Sequence, residues 1–146
     1  MAENDNVVKK GKFSLIDLLM IIMIVGIIVT FIVPMKQTQK YHERVKEAIY
    51  NLQVIAQKDV EFKNNPENGY YAFDLSMLNI KDKLKKGKSD TEFYFEYSLT
   101  DSTVIAESKS SFGKEGVEIV YYLPEGPMLL GESQVSQDVI DPNWLP

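Results

Sequence analysis

The sequence predicts an α+β fold in which one long N-terminal helix packs against a small antiparallel sheet. Three observations carry this prediction. An apolar block extends from Phe13 to Val33, apolar residues then recur every three or four positions as far as Phe62, and alternating apolar residues follow from Glu92. The first two patterns are typical of helices, and the third is typical of strands with one buried face.

The apolar block contains only three polar side chains, Ser14, Asp17 and Thr30. About 20 such residues suffice to cross the hydrocarbon layer of a bilayer. A cleaved secretory signal would have a shorter apolar run, about 7–15 residues, that ends in small residues. The block is therefore interpreted as a plain membrane anchor or as a membrane helix that also packs against copies of itself. Lysines directly before it favour a cytoplasmic N-terminus.

The segment after Pro34 has one apolar helical face. This face comprises Tyr41, Val45, Ala48, Ile49, Leu52, Ile55, Ala56, Val60 and Phe62. Together with the apolar block it predicts one helix from Phe13 to about Lys63. Residues 13–34 form its membrane half and residues 35–63 its amphipathic half. Because proline lacks an N–H and clashes with the preceding turn, a kink or local unwinding is expected at Pro34.

Residues 64–146 are predicted to form a globular head. The turn cluster Asn64–Gly69 ends the helix, and strands are predicted over Glu92–Leu99, Thr103–Glu107 and Val117–Leu123, with their aromatic residues in the core. From Glu125 an extended C-terminal tail is expected to wrap on the sheet. Its apolar residues could hold it there, namely Met128, Leu129, Leu130, Val139, Ile140 and Trp144.

Composition excludes several functional classes. The 146 residues include no cysteine and one histidine, His42. This composition excludes thiolate chemistry, disulfides and metal sites that need several histidines. A net charge of −5 argues against a nucleic-acid partner. No cofactor is expected. Calcium bound by Asp138 and Asp141 is a weak alternative to a solvated acidic tail, because these acids lack the ordered spacing of a calcium loop.

Charge is unevenly distributed along the head. The segment Lys81–Lys88 carries five lysines, whereas the chain from Glu115 to its end carries six acids and no Lys or Arg. Solvated loops are the simplest interpretation of such runs. A second hypothesis is that the lysines of one subunit face the acidic tail of another.

Asp17 is unusual in an apolar block. A carboxylate near a membrane centre costs about 2.5–3.5 kcal/mol on insertion scales. Two interpretations remain open: Asp17 lies at the level of the lipid headgroups, or it pairs with a positive charge. Cleavage before Phe13 would supply such a charge, because the new amine would lie about one helical turn away.

The residues Lys9–Leu18 resemble the class III signal of type IV pilins and type II secretion pseudopilins. In that family a basic leader is cleaved before a phenylalanine, which is N-methylated, and an acid occupies the fifth mature position. The resemblance places these landmarks at Phe13 and Asp17, the internal glycine at Gly26 and the helix proline at Pro34. Asn68-Gly69-Tyr70-Tyr71 is similar to the family's entry into the head. Two positions differ, since the family has Gly where this chain has Lys12 and Glu where it has Asp17.

The resemblance implies a leader over residues 1–12 and a pilin-like structural subunit of a type IV pilus or secretion filament, not an enzyme. Its implied partners are other copies of the chain, the membrane, the prepilin peptidase and the inner-membrane assembly machinery. The implied locations are the inner membrane before assembly and an extracellular or periplasmic filament after it. The alternative is an uncleaved single-span protein with a small extracytoplasmic binding domain, because Lys12 would block the peptidase.

Overall fold

The computed structural model describes residues 11–146 and contains two α-helices and four strands in this range. Helix α1 spans Leu15–Asn64 and helix α2 spans Gln134–Val139. The strands are β1 (Phe95–Leu99), β2 (Thr103–Ser108), β3 (Glu118–Tyr122) and β4 (Met128–Leu130). Short 3₁₀ turns lie at Leu75–Met77, Lys81–Lys83, Ser110–Phe112 and Pro142–Trp144. The predicted α+β arrangement, one long helix with a small antiparallel sheet, is confirmed.

The chain divides into two compact units, one ending at Lys36 and the other comprising Gln37–Pro146, the head. The described part of the first unit is the N-terminal part of α1 with the four residues before it. Helix α1 continues through Pro34 without a non-helical residue, so the local unwinding expected there is not observed. Most of the leader predicted at residues 1–12 lies outside the described residues.

The sheet is an antiparallel meander with strand order β1-β2-β3-β4. The predicted hairpin joins β1 to β2, and the Thr100 N–H donates to the Thr103 carbonyl at 2.9 Å across its turn. In the register, Glu96 lies opposite Glu107, which in turn lies opposite Glu118. Strand β4 pairs with β3 through Leu130, Leu129 and Met128.

The core of the head lies between α1 and one face of the sheet. Helix α1 contributes the fully buried Val45, Ala48, Leu52 and Ile55, and the strands contribute alternating residues that include Phe95, Tyr97, Val104, Ala106 and Ile119. Because side chains alternate along a strand, the remaining strand residues form a second face directed away from α1. We call this second face the outer face.

The C-terminal segment differs from the extended tail predicted from the sequence. It forms strand β4 and helix α2, which begins where the Ser133 side chain accepts the Ser136 N–H. Met128 and Ile140 are buried, and Leu130, Val139 and Trp144 are partly buried against the core. Leu129 instead faces outward and is 48% exposed. Strand pairing and a capped helix thus hold most of this segment, because they satisfy backbone groups that an extended tail would leave to water.

Candidate functional site

The N-terminal part of α1 is an apolar surface with no cover from the chain itself. Every large apolar side chain from Phe13 to Met35 is exposed, with Leu15 at 80% and Ile32, the least exposed, at 44%. Within residues 11–146, α1 is the one helix whose length and composition suffice to cross a membrane. An apolar surface of this extent needs lipid or other protein around it.

Asp17 caps the start of α1. Its Oδ2 accepts the Ser14 N–H at 3.0 Å, while the Ser14 Oγ accepts the Ile16 N–H at 3.1 Å. These reciprocal bonds resemble a capping box, in which a side chain at the helix start and an acid three residues later satisfy free N–H groups. Asp17 therefore has a local role that needs no positive partner. Its second oxygen, Oδ1, makes no hydrogen bond to residues 11–146.

The capping contact was missed by the sequence analysis, although a signal for it is present. Ser14-x-x-Asp17 directly before an apolar run fits the capping-box pattern. The cost of an acid in an apolar block points instead to a cationic partner. The backbone partner lies only three residues away.

Gly26 and Pro34 lie on the exposed surface of α1. A Cβ added at Gly26 would meet no atom within 4 Å, so packing within the chain does not require glycine here. Glycine inside a helix costs about 1 kcal/mol relative to alanine. The Thr30 hydroxyl donates to the Gly26 carbonyl at 2.7 Å. Gly26 thus leaves a flat, open position on the helix surface.

The predicted processing position is accessible. Gly11 to Ser14 precede the helix, Lys12 is exposed and Phe13 is 66% exposed. A peptidase could therefore reach the Lys12–Phe13 bond without unfolding a helix. The basic residues Lys9 and Lys10 lie outside the described residues.

A buried polar cluster connects α1 to the segment before β1. Glu47, 4% exposed, accepts N–H groups of Gly87 at 2.7 Å, Tyr94 at 3.0 Å and Phe95 at 3.3 Å. It also accepts the Tyr97 hydroxyl at 3.0 Å. One carboxylate thus replaces the backbone acceptors that a neighbouring strand would otherwise supply.

Asn51, one helical turn later, extends this cluster. Its amide donates to the Lys85 carbonyl and to the Tyr97 hydroxyl, both at 2.9 Å, and its oxygen accepts the Lys85 N–H at 2.7 Å. Burial, together with the nearby Glu47 charge, raises the pKa of the Tyr97 phenol well above its ordinary value. The hydroxyl therefore stays protonated and donates to Glu47. The backbone of the lysine segment, Lys81–Lys88, is fixed to α1 by these side chains.

Asp59 is a second buried acid on α1. It has no exposed surface, and its Oδ1 accepts the Ala72 N–H at 2.7 Å. Its Oδ2 has no hydrogen-bond partner among residues 11–146. Burial raises the pKa of this carboxyl, and the hydrogen bond from Ala72 opposes the shift only in part. Asp59 holds the chain against α1 just after the turn that ends the helix.

The burial of Glu47, Asn51 and Asp59 was likewise not predicted from the sequence. Apolar periodicity picks out apolar side chains alone, so the predicted buried face of α1 does not include these three residues. A partial signal exists, because residues 47, 51, 55 and 59 are four apart and follow the same side of the helix as the buried Ile55. Their partners, up to 50 positions away along the chain, have no sequence signal.

Two further residues of α1 hold other parts of the head. The Arg44 guanidinium donates to the Phe112 carbonyl and lies 4.9 Å from the centre of the Tyr94 ring. His42 is exposed, and its ring stacks on Trp144 with 4.8 Å between ring centroids. His42 thus helps to hold the C-terminus.

The weak calcium candidates have local roles. Asp138 accepts the Gln134 side chain at 2.9 Å, and Asp141 caps the last 3₁₀ turn by accepting the Asn143 N–H at 2.9 Å. Over residues 11–146 no group of three or more His, Cys, Asp or Glu is arranged to hold a metal ion. The structure thus does not bring Asp138 and Asp141 into a calcium site.

Fold and surface together define a class: an α+β head whose first helix continues as an exposed apolar segment suited to a membrane. Comparison with protein-family models, with curated proteins and with solved structures gives no significant match. The function is therefore inferred from the residues of this chain.

Proposed function

We propose that this chain is a structural subunit that assembles through its N-terminal apolar helix into a type IV pilus or a pilus-like secretion filament. The observation that carries the proposal is the uncovered apolar surface from Phe13 to Met35, joined in sequence to a head with its own core. The resemblance of Lys9–Leu18 to the class III signal supports the same function. The proposed role is non-enzymatic and involves no nucleic acid.

Burial of the apolar surface would drive assembly. Each large apolar side chain contributes about 1.5–3 kcal/mol when it moves from water into an apolar environment. Lipid satisfies these side chains equally well, so they give little preference for association inside a bilayer. Once machinery in the inner membrane extracts the subunit, neighbouring helices become the only apolar environment. The open position at Gly26 allows a close approach of two helices.

Asp17 would set the register of neighbouring subunits. Its Oδ2 is occupied by the Ser14 N–H, and its Oδ1 has no hydrogen bond within the described chain. After cleavage by the prepilin peptidase, the Phe13 amine of a neighbour is the cation that this oxygen would accept. A misplaced subunit would leave both charges unpaired in an apolar interior, which is costly.

Before assembly the proposed subunit lies in the inner membrane with a cytoplasmic N-terminus. After assembly it is part of an extracellular or periplasmic filament. Adhesion and protein secretion are both compatible with such a filament. The alternative function is an uncleaved membrane-anchored protein with a small extracytoplasmic binding domain. Lys12 favours this alternative, because the class III signal carries glycine at that position.

The intact mass of the protein isolated from cells tests these two functions. A mass that begins at Phe13 with one added methyl group is expected for the filament subunit. A full-length mass would contradict this proposal and support the anchor. Replacing Lys12→Gly should increase cleavage if Lys12 slows the peptidase.

A second experiment separates the two roles of Asp17. Asp17→Asn removes the charge, whereas Ser14→Ala removes the hydroxyl half of the cap and leaves the charge. If the charge sets assembly, Asp17→Asn abolishes filaments and Ser14→Ala retains them, with membrane insertion intact in both variants. Equal loss in both would show that helix capping alone explains Asp17.

A further inference from the structure

We propose that the outer face of the sheet is a contact surface for the lysine segment, Lys81–Lys88, of a second copy of this chain. The inference rests on the proposed self-assembly and adds which parts of two heads meet. The sequence suggested the acidic C-terminal tail as the partner of the lysines. The partner proposed here is instead a surface formed by the strands.

The first observation is a row of three glutamates across the outer face. Glu96, Glu107 and Glu118 lie directly opposite one another on β1, β2 and β3. Directly opposite residues in antiparallel strands have Cβ atoms about 4.5–5.5 Å apart, and like charges at this spacing destabilise a sheet. None of the three forms an ion pair within residues 11–146. A cationic partner would relieve this repulsion.

The second observation is an apolar row beside the glutamates. Ile105, Val120 and Leu129 lie opposite one another on β2, β3 and β4. Leu129 is 48% exposed, and Ile105 and Val120 are half-buried. The face therefore offers both apolar area to cover and negative charge to neutralise, which is typical of a contact surface with a polar rim.

The third observation is the form of the lysine segment. Its five lysines are exposed, and of these only Lys88 has an ion pair, with Glu92 at 3.4 Å, in the described chain. Asn51 holds the Lys85 backbone from both sides, and Glu47 holds the Gly87 N–H. A segment fixed in this way loses less conformational entropy on binding than a free loop.

The geometry points to a second copy as the partner. The lysine segment is bound to α1, which covers the inner face of the sheet, while Glu107 and Glu118 lie on the opposite face. Glu96, on the first strand, borders a depression that Lys81 and Lys86 also line, but it forms no ion pair with them within residues 11–146. Lys109 borders the depression lined by Glu96 and Glu107 but makes no ion pair within the described chain. Because the two complementary surfaces differ, their pairing is head-to-tail, and such contacts extend into open helical assemblies unless the rotation closes a ring.

Cysteine cross-linking tests this contact cleanly because the chain contains no cysteine. Ser98→Cys places a thiol on the outer face beside Glu96, and Ser89→Cys places one directly after the lysine segment. Both serines are exposed. The full-length protein, assembled in cells, is treated with a short bis-maleimide. A third variant, Val29→Cys on the apolar helix, reports helix-mediated association separately.

The expected result is a ladder of cross-linked chains when Ser98→Cys and Ser89→Cys are combined, and little product from either alone. Cross-linking of Val29→Cys without the head ladder would overturn the head contact and leave the proposed filament standing. Absence of both products would overturn both. Efficient cross-linking of Ser98→Cys alone would show outer faces pairing with each other, and would also overturn the inference.

Charge reversal provides a second test with a rescue. Glu107→Lys, or Lys85→Glu with Lys86→Glu, should lower the yield of the ladder about tenfold, since close like charges replace attractive pairs. Combining the reversals should restore most of the yield, and the wild-type ladder should weaken as salt is added. Glu125→Lys and Lys114→Glu are matched controls outside the two surfaces. An equal loss in these controls, or no rescue, would refute the contact.

Discussion

Replacing Glu47 with alanine should destabilise the head by about 3 kcal/mol. The carboxylate accepts four donors, but the Gly87 N–H is near solvent and water can replace its acceptor. The Phe95 N–H and the Tyr97 hydroxyl are buried. Each buried donor left without an acceptor costs about 1–3 kcal/mol, and removal of a desolvated charge returns part of this cost.

Glu47→Gln is a milder change that tests the same reasoning. Its oxygen can still accept from Phe95 and Tyr97, while its NH₂ group faces the Gly87 N–H. Two donors then oppose each other, and the expected loss is about 1–2 kcal/mol. Glu43→Ala on the same helix is the control. It removes an exposed ion pair with Lys46 and should leave the free energy of unfolding close to the wild-type value, because solvent screens such a pair.

The assay is urea unfolding of the full-length protein in detergent micelles, followed by fluorescence. The single tryptophan, Trp144, stacks on His42 of α1 and so reports on the folded head. An unfolding free energy for Glu47→Ala within about 0.5 kcal/mol of the wild-type value would refute the argument. It would mean that water replaces the carboxylate at Phe95 and Tyr97.

Three other predictions follow from the described contacts. Asp59 has a raised pKa in the folded state, so the stability that it contributes is complete below the unfolded pKa, about 4, and is lost as the pH rises through the folded pKa. Asp59→Asn cannot ionise, so this variant should be more stable than wild type at pH 7. Its free energy of unfolding should also vary less with pH than that of the wild type. Gly87→Ala should lower the Tm, because the new Cβ would press on the Glu47 carboxylate and lie 2.7 Å from the Tyr94 ring; an unchanged Tm would contradict this contact. Trp144→Ala removes the stack on His42 and should accelerate amide exchange in the last residues while leaving β2 protected; equal exchange in both places would show global unfolding instead.

Much of the fold could be predicted because its main elements have strong local patterns. The helix was predicted to within two residues at both ends, and the β1–β2 hairpin has clear alternation and a polar turn. Strand β4 has three residues and helix α2 has six, which is too short for either period to appear. Pairing with β3 and the Ser133 cap decide their structure.

The polar cluster of the head depends on partners far away in sequence. Glu47 and Asn51 are buried because backbone donors and acceptors of Lys85, Gly87 and Phe95 meet them in three dimensions. No local pattern carries this information. The glutamate row on the outer face has the same origin, since Glu96, Glu107 and Glu118 are eleven residues apart and only the register of three strands aligns them.

The Glu47 carboxylate also protects an open sheet edge. The Lys109 N–H donates to the Tyr94 carbonyl, and the Thr100 N–H donates to the Thr103 carbonyl. The backbone N–H and C=O groups of the even-numbered residues in β1 therefore point toward β2, and the Phe95 N–H points away from it. Glu47 occupies this donor, which is where an incoming strand from another chain would begin to pair. Where many heads are crowded together, an edge blocked in this way resists the uncontrolled strand addition that leads to amyloid-like aggregates.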